Sequence, residues 1–236
     1  MPIIAVVGSK KSGKTTAIET LVQGLTKRGY KVATVKHVPE PDFTIDTKGK
    51  DTWRHAKAGA KTIISVAPNE IATIRKADTT KYSLEQIIKD CEDEAEIIIL
   101  EGFTKLIGQN PKVPKIIAAK TAEEVLDASK RFKPILTFVG PIPEEAKLKI
   151  PYVNVLKEQE RLINLMDEKV AALVERKRKH KEELKIQIDE HALPLNPFVQ
   201  KFIRNTILGM VSTLKGVTIK GGGGVSITIK SFSRHD

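Results

Sequence analysis

Four residues near the start of the chain stand at a spacing that can do chemistry on a polyphosphate. Gly8, Gly13, Lys14 and Thr15 read G-x-x-x-x-G-K-T inside the run I-I-A-V-V-G-S-K-K-S-G-K-T-T from Ile3 to Thr16, which is the pattern of a phosphate loop. Glycine is needed because the main chain itself must wrap the anion, and a Cβ would obstruct that approach. Lys14 brings a point charge to the β- and γ-phosphates, and the Thr15 hydroxyl suits a Mg²⁺ ion shared with them. The stretch Gly8, Ser9, Lys10, Lys11, Ser12, Gly13, Lys14, Thr15 and Thr16 is therefore the candidate nucleotide cradle. Reading its glycines as ordinary turn residues leaves the strand pattern before them and the helix pattern after them unexplained.

Hydrolysis of a nucleotide also asks for carboxylates, one to hold a metal-bound water and one to orient the attacking water. Glu101 follows the apolar run Ile97 to Leu100, while Asp42, Asp46 and Asp51 lie beyond a second strand pattern. Glu101 and Asp46 are the stronger candidates, and with Lys14 they make the expected catalytic set. Thr15, Glu101 and Asp46 make the expected metal set. Asp51 reads equally well as a helix cap, and Asp42 as a turn residue after Pro41. His37, His55 and Cys91 share no close ligand spacing, so structural roles are expected for them. Lys48 and Lys50 flank Gly49 and suit an anion, whereas Trp53 reads as a packing residue. A guanine-reading N-K-x-D motif is missing, and Lys120-Thr121-Ala122-Glu123 is only a faint echo of one, so spacing does not decide the base.

These groups need elements to hold them. Ile3 to Val7 is apolar and β-branched, as in a strand buried on both faces. A helix starting near Lys14 would aim its free N–H groups at the anion, with Ile18, Leu21, Val22 and Leu25 against a sheet and Gly29 as its stop. Val32 to Val35 completes a β-α-β unit, followed by a polar segment from Val38 to Lys50 that should face the phosphate site. Next come a helix over Asp51 to Ala58, and two strands, Thr62 to Val66 and Ile71 to Ile74, expected as a hairpin within the sheet. Ser83 and Gln86 form a capping box for a helix through Cys91. Strands at 97–100, 115–119, 135–139 and 153–155, and helices at 122–130 and from Glu158, continue the alternation. The predicted class is α/β, a mostly parallel sheet covered on both faces by helices, over residues 1–175. Residues 176–183 read as a charged helix end or linker. Residues 184–236 read as a small β-α-β-β module, with a strand at 184–188, a helix at 198–214, and strands at 217–220 and 225–230.

The chain has 236 residues, 40% hydrophobic and 29% charged, the balance of a globular protein. No apolar run approaches the ~20 residues that span a bilayer. The chain enters its first strand with no charged leader, so a cytoplasmic location and no membrane role are expected. With one cysteine, no disulfide framework is expected. A net charge of +11 favours anionic partners, but the basic residues are not interleaved with aromatics and no nucleic-acid motif is present, so nucleic acid is not expected.

The stretch from Val35 to Ala60, with V-K-H, D-F-T-I-D-T-K-G-K-D-T-W-R-H and A-G-A, together with L-E-G-F-T-K at Leu100 to Lys105, resembles the molybdopterin-guanine dinucleotide biosynthesis protein B family. The likeness covers roughly the first two thirds of the chain. It implies a GTP-binding accessory protein with weak GTPase activity, a homodimer that assists the guanylyltransferase of molybdenum cofactor biosynthesis. Molybdopterin itself is a further candidate ligand. By position, Gly8 to Thr16 would bind GTP and Mg²⁺; Asp46, Gly49, Lys50 and Asp51 would form the second motif, and Glu101 with Gly102 the third. One departure stands out: Glu40-Pro41 occupy a place where members of the family often carry further histidines, which weakens any shared role for His37. The alternative function is a phosphotransferase or a metal-insertion NTPase on the same scaffold.

Overall fold

The computed structural model describes residues 1–141, 150–181, 186–188, 191–193 and 195–215. The chain separates into two compact units, Met1–Val174 and Glu175–Asp236. In the first, the order is β1 (Ile3–Gly8), α1 (Lys14–Lys27), β2 (Val32–Lys36), α2 (Asp51–Lys57), β3 (Thr62–Ala67), β4 (Glu70–Arg75), α3 (Leu84–Cys91), β5 (Ile97–Glu101), α4 (Thr104–Ile107), β6 (Lys115–Ala118), α5 (Ala122–Arg131), β7 (Ile135–Val139) and β8 (Tyr152–Val153). A long helix, α6 (Gln159–Lys181), follows.

Six strands form one parallel sheet in the order β2-β5-β1-β6-β7-β8. The continuous apolar runs of β1 and β5 are explained by two separate cores, because successive side chains of a strand point to opposite faces. Ile4, Val6, Ile97 and Ile99 meet Ala17, Leu21 and Leu25 of α1 and Leu162, Met166, Val170 and Val174 of α6. On the other face Ile3, Ala5, Val7, Ile98 and Leu100 pack with Ile87 of α3, Ile107 of α4, and Val125 and Ala128 of α5. Leu162, Met166, Val170 and Val174 recur every fourth position, which makes one helical stripe, and Ile163 is buried beside it. Leu173, off that stripe, is exposed. Arg28 at the end of α1 ties the two helices of this face together, donating to Asp167 at 2.7 Å and to Glu160 at 3.3 Å, and to Asn164 as well.

The hairpin differs from expectation. β3 and β4 pair with each other along their whole length, Thr62↔Arg75 to Ala67↔Glu70, and form a sheet of their own rather than part of the main one. An alternating pattern marks a strand but does not name its ladder partner, since the same side-chain period serves any register. Ile64, Val66 and Ile71 are left exposed on it. α3 begins with the expected capping box of Ser83 and Gln86, and α4 is a short turn of helix that the sequence pattern missed.

In the second unit, β9 (Gln187–Ile188) pairs antiparallel with β10 (His191–Ala192). α7 (Pro197–Ser212) then starts at Asn196, whose side chain accepts the Val199 N–H. Of the strand expected at 184–188, Gln187–Ile188 is extended as β9 and residues 184–185 lie outside the described residues; β10 was not anticipated, and the strands expected at 217–220 and 225–230 lie outside the described residues. No helix among the described residues is long and apolar enough to cross a membrane.

Candidate functional site

The phosphate loop leaves β1 at the point where the sheet order turns, between β5 on one side and β6 on the other. Ligands of open parallel sheets bind beyond the strand ends at such a point. Gly8 is in register with Ala118 of β6, and a Cβ on it would sit 2.0 Å from the Ala118 carbonyl oxygen. Gly13, at φ +94, turns the chain into α1 as its N-cap. Between them Ser12 is buried and donates its hydroxyl to the Ser9 carbonyl at 2.8 Å. The loop is thus wound tightly enough to aim the first amides of α1 outward, where the helix dipole favours an anion.

A cavity of about 470 Å³ opens there, lined by Lys10, Lys11, Ser12, Gly13, Lys14, Thr15, Thr16, Lys36 and Glu101. The Lys14 ammonium turns back on the loop, donating to the carbonyls of Gly8 at 3.2 Å and Ser9 at 2.5 Å. Burial lowers the Lys14 pKa, and the negative charge of Glu101 works against that shift. Glu101 ends β5, in register with Val6 of β1 and Lys36 of β2, and its carboxylate lies 3.4 Å from the Lys36 ammonium. Four lysines and one carboxylate therefore line a hollow at a helix N-terminus. That is an electrostatic setting for a polyanion with a cation beside it.

Lys14, Thr15 and Glu101 are brought together from two separate parts of the sequence. Gly102 adjoins them at φ +85, its N–H donating to the Val6 carbonyl, though it does not line the cavity. Asp46, Gly49, Lys50 and Asp51 do not line it either. The Asp46 carboxylate accepts from the Thr47 N–H at 2.9 Å and the Thr52 hydroxyl at 2.7 Å, which holds the loop to α2. Its Oδ2 is buried with no hydrogen-bond partner among the described residues. Asp51 is the first residue of α2 and pairs with Arg54 at 3.7 Å. The His37 ring packs against Phe103, Lys57 lies over the Trp53 ring, and Cys91 is partly buried against the core. Among the described residues no cluster of three histidine, cysteine or acidic side chains is placed to hold a metal.

Three residues at the loop were not foreseen. Lys36 joins the cavity from β2, and Lys120 and Glu124 brace it from the β6 side. Lys120 donates to the Lys10 carbonyl at 3.5 Å, and Glu124 accepts the Lys120 N–H at 2.7 Å. That N–H and the Ser9 hydroxyl hold the Glu124 carboxyl below the usual carboxylate range. The only signal in the sequence was a lysine directly after a strand. A second hollow on α7 is lined by Phe198, Lys201, Phe202, Asn205 and Thr206, with no carboxylate among the described lining residues.

The family described as molybdopterin guanine dinucleotide synthesis protein B matches residues 3–138. A Methanocaldococcus jannaschii protein, provisionally named a molybdopterin-guanine dinucleotide biosynthesis adapter protein, is 30% identical over 92% of this chain and 93% of its own length. The adapter protein of Haemophilus influenzae bearing that name is 30% identical over 50% of this chain and 62% of its own. A crystal structure titled molybdopterin-guanine biosynthesis protein B superposes with a TM-score of 0.54 at 25% identity, covering 73% of this chain and 99% of that one. The Bacillus subtilis MobB structure shares the fold with a TM-score of 0.55 at 21% identity, over 70% of this chain and 98% of that one.

Proposed function

The chain belongs to the molybdopterin guanine dinucleotide synthesis protein B family, and from that premise we propose that it is a Mg²⁺–GTP-binding adapter in molybdopterin guanine dinucleotide biosynthesis. The observation that carries the nucleotide reading is the convergence of Lys14, Thr15 and Glu101 on one cavity at the start of α1. Lys14 supplies charge to the β- and γ-phosphates, and the α1 amides bind the oxygens between them. The residues fit Mg²⁺, since a hydroxyl and a carboxylate share the cavity wall; bound there, the ion would neutralise phosphate charge. Thr15 would hold it and Glu101 would order its water. Asp46, engaged with Thr47 and Thr52, has its task in the loop that leads to α2.

Hydrolysis is slow in this reading, because among the described residues no arginine lines the cavity and such a group is worth about three to five decades of rate. Binding and docking then matter more than turnover. The partner is the guanylyltransferase of the pathway, met in the cytoplasm by a homodimer. The exposed Ile64, Val66 and Ile71 of the separate hairpin are apolar surface that a second copy would cover. Calorimetry with GTP and Mg²⁺ tests the site: Lys14→Ala should abolish binding, and unchanged affinity would refute the assignment. A competition series of GTP against ATP, with and without the transferase, tests the base and the partner.

A further inference from the structure

Lys36 lines the cavity, yet nothing in nucleotide binding as described gives it a task. It closes β2, in register with Glu101 across the β2–β5 ladder, so both side chains leave the sheet at the same level, beyond its carboxyl edge. The Lys36 side chain is 62% exposed, that of Glu101 is 18% exposed, and the two charges meet at 3.4 Å. An ion pair open to water on the lysine side and longer than a direct charged hydrogen bond holds that lysine weakly, so the ammonium can exchange partners.

The position of Glu101 says which end of a nucleotide Lys36 would meet. A carboxylate that would order a water of Mg²⁺ would stand toward the terminal phosphate, since the ion's task there would be to neutralise the charge of the phosphates being cleaved. Lys36 is on that side of β1, whereas Lys120 braces the loop from the β6 side. Lys10, Lys11 and Lys14 belong to the loop itself and act on any phosphate held in it.

Resting on the nucleotide reading of the cavity, we propose that Lys36 is the residue that distinguishes a nucleoside triphosphate from a diphosphate. With the diphosphate bound, its ammonium stays on the Glu101 carboxylate. With the triphosphate bound, it passes to a γ-phosphate oxygen and leaves Glu101 free to accept from water. Charge on charge at hydrogen-bonding distance favours the phosphate, which carries more negative charge than the carboxylate. The exchange needs only one side chain to move, since the backbone on either side is held by the ladder and the His37 N–H donates to the Glu101 carbonyl at 3.0 Å.

The test is calorimetric titration of the full chain with Mg²⁺ and either GDP or the slowly hydrolysed analogue GTPγS, on the unaltered protein, Lys36→Met and Lys36→Arg. Loss of a charge-assisted hydrogen bond predicts that Lys36→Met weakens GTPγS by about 10- to 100-fold. For GDP the change should stay within about 3-fold, the scale of an exposed charge at a distance. Lys36→Arg should restore most of the GTPγS affinity, and thermal unfolding of the variants should match that of the unaltered chain. Equal losses for the two nucleotides, or none, would overturn the role of Lys36 while leaving the cavity assignment intact. An unaltered chain that binds neither nucleotide overturns both.

Discussion

The two glycines of the phosphate loop make a sharp contrast on mutation. At Gly8 an added methyl would lie 2.0 Å from the Ala118 carbonyl oxygen and 2.9 Å from the Ser12 hydroxyl. The first obstacle is backbone, fixed in the β1–β6 ladder, so the strand itself must move. Overpacking of this kind costs typically about 1–3 kcal/mol, and Gly8→Ala should fall at the upper end because no flexible side chain can yield. At Gly13 nothing lies within 4 Å of the added methyl, and the cost comes only from φ +94. Left-handed backbone costs about 1–2 kcal/mol in a residue with a Cβ. Urea unfolding of both variants checks the order, with Gly8→Ala expected to lose about 1 kcal/mol or more beyond Gly13→Ala. Gly8→Ala should also lose GTP binding, because the displaced strand end carries the cradle with it. A Gly8→Ala chain as stable as Gly13→Ala, or one that binds GTP normally, would refute the close approach of β1 and β6 as the loop's support.

Two other perturbations separate the roles of charged groups. Glu101→Gln should reduce Mg²⁺-dependent GTP hydrolysis by about 100-fold, the lower range for a positioned acid or base, while GTP affinity changes far less; equal loss of both would remove Glu101 from the metal shell. Lys115 is fully buried, donates to the carbonyls of Asn110 and Lys133, and has its pKa pushed down by burial to about 8. Between that value and the ordinary 10.5 the unfolded chain binds a proton that the folded chain does not, so stability rises with pH across this window. Below it the penalty is present in full. Lys115→Met should abolish that rise in urea midpoints measured from pH 8 to 10.5, and a variant whose slope equals that of the unaltered protein would count against the buried charge.

Several local features were legible from sequence because their physics is local. The capping box of Ser83 and Gln86 needs only residues three apart, and it stands as read. The apolar runs of β1 and β5 announced burial on both faces, and the two cores deliver it. Hairpin placement was not legible, because Ile63 and Ile74 would look alike in either sheet. Nor did spacing reveal Lys36, Lys120 or Glu124 as neighbours of the loop. They arrive from two different connections, Lys36 at the end of β2 and Lys120 with Glu124 after β6, and a lone lysine after a strand carries no sign of which strand lies next to it.

By itself the sequence determined a loop of the phosphate-binding pattern, since glycine freedom, an ammonium and a hydroxyl at fixed spacing act through the backbone that joins them. Tertiary structure alone decided which carboxylate stands opposite that loop. Glu101 reaches the cavity because β5 lies directly beside β1, whereas Asp46 does not line it and its Oδ1 accepts from Thr47 and Thr52. Distance along the chain says nothing about such a choice; the order of strands in the sheet does.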